Sequence, residues 1–260
     1  MQGAPAKDKK RFVAIVMALM YAVVRVRVDG LFTVGYLSTK CANPTRDDEH
    51  ALDHALRYFN ATIDMEMEFK PESLEVHAWV DASFMLHPDK KGQTGVAIRI
   101  GKHGPCVSAR SSKQKMITTS STDSEVLSAF EAMPQITIAR QLIEAFGYDT
   151  TPILHQDNKS AITMMHNGQG SAKHTKHFDM RLQFLKEAIS NGEIELEYTP
   201  TEEMVADMLT KPMSGRSFDT YVKALMGKEL RGKAAYSALG GGAHVRAARD
   251  SVGWRRLNSA

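Results

Sequence analysis

Two cysteines in 260 residues, Cys41 and Cys106, are too few and too far apart for a disulfide framework or a thiolate metal site. Chains that carry so few unpaired thiols belong in a reducing setting, so an intracellular place, cytoplasmic or nuclear, is expected. Long apolar runs are missing as well. The run Phe12 to Val24 follows the basic stretch Lys7 to Arg11 but is shorter than the about 20 residues that span a bilayer. It closes on Arg25-Val26-Arg27 with no small-x-small cleavage signal, so a buried helix is expected there, and no membrane partner. Charge of one sign is not in large excess either: the net value is +3, which excludes a polycation or polyanion. Only clustering of the basic residues would mark a nucleic-acid surface.

What is present is enough for a core. With 43% hydrophobic and 24% charged residues, the chain supports one large or two small globular domains. Up to about residue 70 the pattern is helical, with helices over Asp8 to Val24, Gly30 to Ala42, and from the N-cap Thr45 to about Asn60. At Glu75 the period changes to two. Val76, Ala78 and Val80 alternate with Glu75, His77, Trp79 and Asp81. Thr94 to Gly101 and Cys106 to Ser111 follow as strands across short turns, which makes an antiparallel meander. A helix from Thr122 to Met133, a break at Pro134 and a second helix to Phe146 come next. Then follow a strand to Gln156, helices over Lys159 to His166 and Lys176 to Ser190, a strand to Tyr198 and a helix over Glu202 to Lys211. Strands separated by helical crossovers join parallel, so an α/β mixed sheet with helices on its faces is expected. From about residue 228 the Gly/Ala/Arg-rich sequence predicts a disordered basic tail.

Four carboxylates stand where such a fold would gather them: Asp81 and Asp157 at the ends of strands, Glu125 early in a helix, and Asp207 on the last one. Crowded carboxylates repel one another unless cations neutralise them, and hard oxygen donors suit Mg2+ or Mn2+. Each has a bland alternative. Glu125 follows Thr122 at capping-box spacing, Asp157 precedes a helix as an N-cap would, Asp81 could belong to a turn, and Asp207 could lie on a solvated face beside Glu203. It is the joint occurrence at sites one fold would bring together that points to a metal site.

The segments Trp79-Val-Asp81-Ala-Ser83, Ser111-Ser-Lys113-Gln114, Ser120-Ser-Thr-Asp-Ser-Glu125, Gln156-Asp157-Asn158, Thr175-Lys-His177-Phe-Asp179 and Tyr198-Thr-Pro200 through Ala206-Asp207-Met-Leu-Thr-Lys-Pro212 resemble, in order and spacing, the ribonuclease H domain that ends copia-type retrotransposon Pol polyproteins. The resemblance implies a ribonuclease H-like fold: a five-stranded mixed sheet, three strands antiparallel then two parallel, flanked by helices. It divides the chain into residues 1–70, similar to the tail of a reverse transcriptase (thumb or connection), 71–227 as the ribonuclease H-like domain, and the tail 228–260. The paired aspartates of a polymerase active site are nowhere in the chain, so DNA synthesis is not expected.

The same resemblance implies an endonuclease that cuts the RNA strand of an RNA–DNA hybrid with two Mg2+ or Mn2+ ions, held by Asp81, Glu125, Asp157 and Asp207. Asp81 would bridge both ions, Asp207 would help on the water-activating side, and Glu125 and Asp157 would serve the leaving-group side. Partners would be the hybrid and the rest of a reverse transcriptase polyprotein. Ser83, Lys113, Asn158 and His177 are the candidate contacts to the hybrid, with Asn158 the first choice for reading a 2′-hydroxyl. The acid-free stretch from Arg99 to Lys115, and a second cluster of Lys173, His174, Lys176, His177 and Arg181, supply cations, although a solvated face is the usual fate of such runs. Three departures stand out. Val28 and Gly30 replace a proline and an aliphatic residue, hinting at a decayed element; Ser83 and Asp123-Ser124 replace Asp and Glu-Ala; and Pro200 to Glu203 fills the loop where relatives carry a mobile histidine. The alternative is a catalytically silent nucleic-acid-binding remnant of such an element. An integrase is disfavoured because its glutamate follows the aspartates, whereas Glu125 precedes Asp157.

Overall fold

The computed structural model describes residues 4–104, 106–168 and 176–227; the expected tail from 228, and Lys173 and His174, lie outside the described residues. In chain order the elements are α1 (Lys9–Arg25), α2 (Leu31–Ser38), α3 (Arg46–Ala61), β1 (Val76–Ser83), β2 (Gln93–Ile100), β3 (Cys106–Lys113), α4 (Ser121–Ala145), β4 (Ile153–Gln156), α5 (Lys159–Asn167), α6 (Lys176–Ser190), β5 (Glu195–Tyr198) and α7 (Gly215–Met226). Short 3-10 turns cover Val28–Gly30, Thr201–Glu203 and Val205–Leu209. Contacts divide the chain into two units: Phe69–Thr210, and the residues up to Glu68 together with those from Lys211. The expected single domain over 71–227 therefore differs from the contact division at its C-terminal end, because α7 packs within the helical unit, where Phe218 meets the ring of Tyr58 edge-on.

In that helical unit the starts of the helices are set by local chemistry. The Asp8 carboxylate accepts from the Arg11 N–H at 3.0 Å, and Thr45 and Asp48 form a reciprocal capping box. The unit is tied by a buried ionic group. Arg27 donates to Asp29 at 2.8 Å and to the Thr62 carbonyl and hydroxyl, while the Tyr58 hydroxyl donates to Asp29. Gly30, one of the departures, has a packing cause: a Cβ there would lie 2.3 Å from Cζ of Phe59. The substitution that hinted at decay makes room for an aromatic ring.

The second unit is built on one sheet of order β3-β2-β1-β4-β5. The β1–β2 and β2–β3 pairs are antiparallel, and the β1–β4 and β4–β5 pairs parallel, as expected of a ribonuclease H-like fold. Val76, Ala78 and Val80 of β1, with Val96, Ile98 and Leu154 beside them, meet Val126, Ala129, Met133 and Ile136 of α4 and Leu182 and Leu185 of α6. Each large apolar side chain fully buried in this layer contributes about 1.5–3 kcal/mol.

The opposite face of β1, to which the other residues of the alternation point, is closed off from solvent as well. His77, Trp79 and Asp81 are all buried. Trp79 stacks on His155 of β4 with ring centroids 4.4 Å apart, and His77 Nδ1 lies 3.0 Å from His155 Nε2, so one ring donates to the other. His155 Nδ1 also meets the Thr199 hydroxyl at 2.8 Å. Burial, with the charge of His77 and of nearby Lys102 and Arg99 next in size, pushes the His155 imidazole down to about 3, and it packs as a neutral ring. This column fastens β4 to β1, and with it the strand end that leads into Asp157.

Two helical expectations change. α4 runs unbroken through Pro134, because Val126, Ala129 and Met133 before it and Ile136, Ala139 and Ile143 after it bury in the same core while Pro134 itself is exposed, where water can satisfy the carbonyl it leaves free. The expected helix over Glu202 to Lys211 is instead two 3-10 turns. Every residue from Met204 to Thr210 is buried, which leaves no solvent face for an amphipathic α-helix. The second turn packs on β1 and β2 over Gly95, where a Cβ would lie 2.6 Å from Thr210 Cγ2 and 2.8 Å from the Ala206 carbonyl oxygen. Gly95→Ala is therefore expected to destabilise this unit by about 1–3 kcal/mol through overpacking. Urea or thermal unfolding of the variant beside the parent checks this; an unchanged midpoint would mean the turn is not seated on Gly95.

Candidate active site

Asp81 leaves β1 two residues before its end, opposite Gly95 in the β1–β2 ladder. Asp157 follows the last residue of β4, which runs parallel to β1, so both strands deliver a carboxylate to the same end of the sheet. Glu125 comes from the start of α4. That helix is capped by Ser120, whose side chain accepts from the Asp123 N–H at 3.0 Å, and not by a Thr122–Glu125 box. The beginning of α4 is braced by Gln114, 1% exposed, whose amide donates to the Ser124 carbonyl at 3.1 Å and to the Ser128 hydroxyl at 3.2 Å. The residues that made up the Ser111–Gln114 motif thus lead into a support for Glu125.

Ligand oxygens of Asp81, Glu125 and Asp157 all lie within 4.8 Å of one another, the one such group of three or more among the described residues. The bland alternatives for these three do not hold locally. The N-cap of α5 is Asn158, whose side-chain oxygen accepts from the Ala161 N–H at 3.1 Å, and Asp81 lies within a strand. Asp207 is buried on the turn Val205–Leu209, not on a solvated face, but it is not one of the close three. It belongs to the same turn as Thr210, whose hydroxyl donates to Asp81 Oδ2 and lies 3.2 Å from the Asp207 carbonyl oxygen.

Each of the close carboxylates has a neutral hydrogen-bond donor beside it. Gln156 reaches Glu125 Oε2 through its amide nitrogen at 3.3 Å, and its amide oxygen accepts from the Asn158 N–H at 3.0 Å. The Thr201 hydroxyl donates to Asp157 Oδ2 at 2.8 Å, and Thr210 serves Asp81. Reading the sequence for acids missed all three donors, although each stands in a motif segment within a few residues of a carboxylate in the sequence or in the fold. Burial, then the negative charges of Asp81 and Asp157, hold the Glu125 carboxyl well above the usual carboxylate range.

The candidate hybrid contacts are more scattered. Ser83 ends β1 partly buried, Asn158 is engaged as a cap through its oxygen, and His177 is exposed in the first turn of α6. Lys113 pairs with Asp89 at 2.8 Å. Arg99, counted among the cations of the acid-free stretch, is buried over the Trp79 ring and donates to the Gly104 carbonyl, so it is not available to phosphate in this structure. Arg110 of the same stretch pairs with Glu131 at 3.5 Å.

The chain is similar to segments of known proteins. Over 213 residues, 81% of the chain, it is 28% identical to the Retrovirus-related Pol polyprotein from transposon TNT 1-94 of Nicotiana tabacum. Over 227 residues, 86% of the chain, it is 27% identical to that from transposon RE2 of Arabidopsis thaliana. Transposon Ty1-NL2 Gag-Pol polyprotein of Saccharomyces cerevisiae is 23% identical over 76% of the chain. The chain's relatives are retrotransposon Pol polyproteins. It matches 16%, 15% and 12% of their respective lengths, so it corresponds to a small segment of each. No family model matches. Among solved structures, LC11-RNase H1 isolated from compost aligns with a TM-score of 0.41 at 13% identity, covering 53% of this chain and 93% of that one. The same enzyme in complex with an RNA/DNA hybrid gives 0.37 at 16% identity, covering 52% and 94%. Likenesses this distant decide nothing about chemistry. No described helix is long and apolar enough to cross a membrane.

The raised Glu125 carboxyl gives a pH signature in metal-free protein. Above the ordinary value near 4.5 the unfolded chain loses this proton while the folded one keeps it, so the folded state binds more protons and stability falls as pH rises through that window. Glu125→Gln removes the titrating group. With chelator present, the unfolding midpoint of the parent is expected to drop between pH 4.5 and neutrality by more than that of E125Q. Identical pH slopes for the two proteins would refute the elevated value.

Proposed function

We propose that the chain is a metal-dependent endonuclease of the ribonuclease H type that cuts the RNA strand of an RNA–DNA hybrid, as one segment of a retrotransposon Pol polyprotein. The observation that carries this reading is the meeting of Asp81, Glu125 and Asp157, from β1, α4 and the end of β4, within 4.8 Å. The donor set fits a hard divalent cation: it consists of carboxylate oxygens alone, and burial, then the charges of Asp81 and Asp157, raise the Glu125 carboxyl, a cost that a bound cation would offset. Asp81, Glu125 and Asp157 would hold Mg2+ or Mn2+, two ions in all, with Asp207 serving the second. Bound there, the ions would lower the pKa of a water and offset charge on the phosphate being attacked.

The protein's own contribution is positioning. Gln156 and Thr201 fix the Glu125 and Asp157 carboxylates from the side, and the sheet delivers Asp81 and Asp157 to one end. Ser83, Lys113, Asn158 and His177 are the proposed contacts to the hybrid. Asn158 adjoins Asp157 with its amide NH2 left over after its oxygen caps α5, which suits a 2′-hydroxyl. Lys113 would exchange Asp89 for a backbone phosphate. The helical residues 1–70 correspond, in this reading, to the end of a reverse transcriptase.

With labelled hybrid and Mg2+ or Mn2+, the purified chain is expected to cleave the RNA strand, leaving 5′-phosphate and 3′-hydroxyl ends, and to stop on addition of chelator. Asp157→Asn should lose more than about 100-fold, beyond what removal of an outer-sphere partner costs. Undiminished cleavage by D157N takes Asp157 out of the site. A folded parent that binds hybrid without cutting it would support the silent-remnant alternative instead.

A further inference from the structure

The carboxylate Asp81 lies at the centre of the proposed site, and its hydrogen-bond partner comes from far along the chain. Thr210 is fully buried, and its hydroxyl donates to Asp81 Oδ2 across 129 positions of sequence. The approach is made possible by the residue opposite Asp81 in the ladder. That residue is Gly95, and the space its missing side chain leaves is filled by Thr210 Cγ2, the Ala206 carbonyl and Leu209 Cβ. A threonine hydroxyl carries a single hydrogen. Here it has two acceptors, Asp81 Oδ2 and, at 3.2 Å, the Asp207 carbonyl oxygen. A hydrogen bond to a carboxylate is roughly twice as strong as one between neutral groups, so the proton goes to Asp81. That leaves the other oxygen of Asp81 as the one without this donor.

We infer that Thr210 is a positioning residue for the carboxylate site: its hydroxyl fixes the rotation of the Asp81 side chain, and through the shared turn it holds Asp207 beside Asp81. The inference rests on the proposed metal-dependent nuclease. The methyl group of Thr210 packs at Gly95 while the hydroxyl does the orienting, so the two halves of one side chain have separable tasks. Removing the orienting donor leaves Asp81 to rotate, which weakens metal binding before it affects contact with the nucleic acid. Outer-sphere partners of this kind are typically worth 10–100-fold in metal affinity or activity.

Two substitutions separate the tasks. Thr210→Val keeps the shape and the methyl contact and deletes the hydroxyl; Thr210→Ser keeps the hydroxyl and deletes the methyl. Mn2+ binding to the full chain is measured by calorimetry without nucleic acid, alongside kcat and KM on labelled hybrid and the unfolding midpoint with chelator. T210V is expected to bind Mn2+ about 10–100-fold more weakly and to lose kcat with KM for hybrid unchanged, while T210S recovers most of both. The inference is overturned if T210V matches the parent in Mn2+ affinity, or if T210S falls as far as T210V, since packing and not the hydroxyl would then be responsible. A parent that cleaves with T210V unaffected sinks the role of Thr210 alone. A parent that binds Mn2+ without cleaving sinks the nuclease reading and still tests Thr210 through binding. A folded parent that neither binds nor cleaves removes both.

Discussion

Mutual repulsion among three carboxylates is the constraint on which this structure turns. At an effective dielectric of about 20, two unit charges about 5 Å apart repel by roughly 3 kcal/mol, and Asp81, Glu125 and Asp157 make three such pairs within 4.8 Å. A fully ionised cluster would set a cost near 10 kcal/mol against a domain stability of the order of 5–15 kcal/mol. Burial of Glu125, which is 6% exposed, and then the charges of Asp81 and Asp157 raise its carboxyl well above the usual carboxylate range. The cluster persists because each acid is delivered by an element that the core holds independently, β1 and β4 by adjacent pairing and α4 by its apolar face on the sheet. Stability alone would not assemble such a group. A place where the fold maintains an unfavourable arrangement is a candidate functional site.

The topology was legible in the sequence because periodicity carries it. The change from period 3.6 to period 2 at Glu75, and the helical crossovers on either side of β4, suffice for three antiparallel strands followed by two parallel ones. The positions of Asp81 and Asp157 were legible for the same reason, since strand ends in a parallel pair point the same way. What could not be read was set by contacts between distant residues. Arg99 looks like a surface cation in a basic stretch, yet its register opposite His77, with Trp79 beside it on β1, buries it. Pro134 looks like a helix break, yet tertiary packing on both flanks carries α4 through it.

The donors around the acids illustrate the same limit in finer detail. Gln156, Thr201 and Thr210 are neutral and unremarkable in composition, and no local pattern distinguishes them from turn or strand residues. Their significance arises only when β4 lies beside β1 and the 3-10 turns fold across the sheet. Gly30 makes the converse point. Against a family pattern it looked like loss, whereas in the fold it is the residue that admits Phe59. A departure from a pattern is evidence of decay only where the structure offers no room-making reason for it.

Asp207 stands apart from the other acids in how it is held. Asp81 is fixed by strand pairing, Asp157 directly follows a paired strand, and Glu125 sits on a 25-residue helix, all anchored in one apolar layer. Asp207 rides on a five-residue 3-10 turn, a form with poorer hydrogen-bond geometry that does not sustain itself at length. That turn is stapled to the sheet at a glycine and a threonine hydroxyl. Elements with little regular structure of their own take their geometry from such contacts, so the place of the fourth carboxylate depends on side-chain interactions where the first three depend on backbone. The three close acids are carried by elements with extensive backbone pairing, whereas the turn that carries Asp207 is seated by its contacts at Gly95 and by the Thr210 hydroxyl on Asp81.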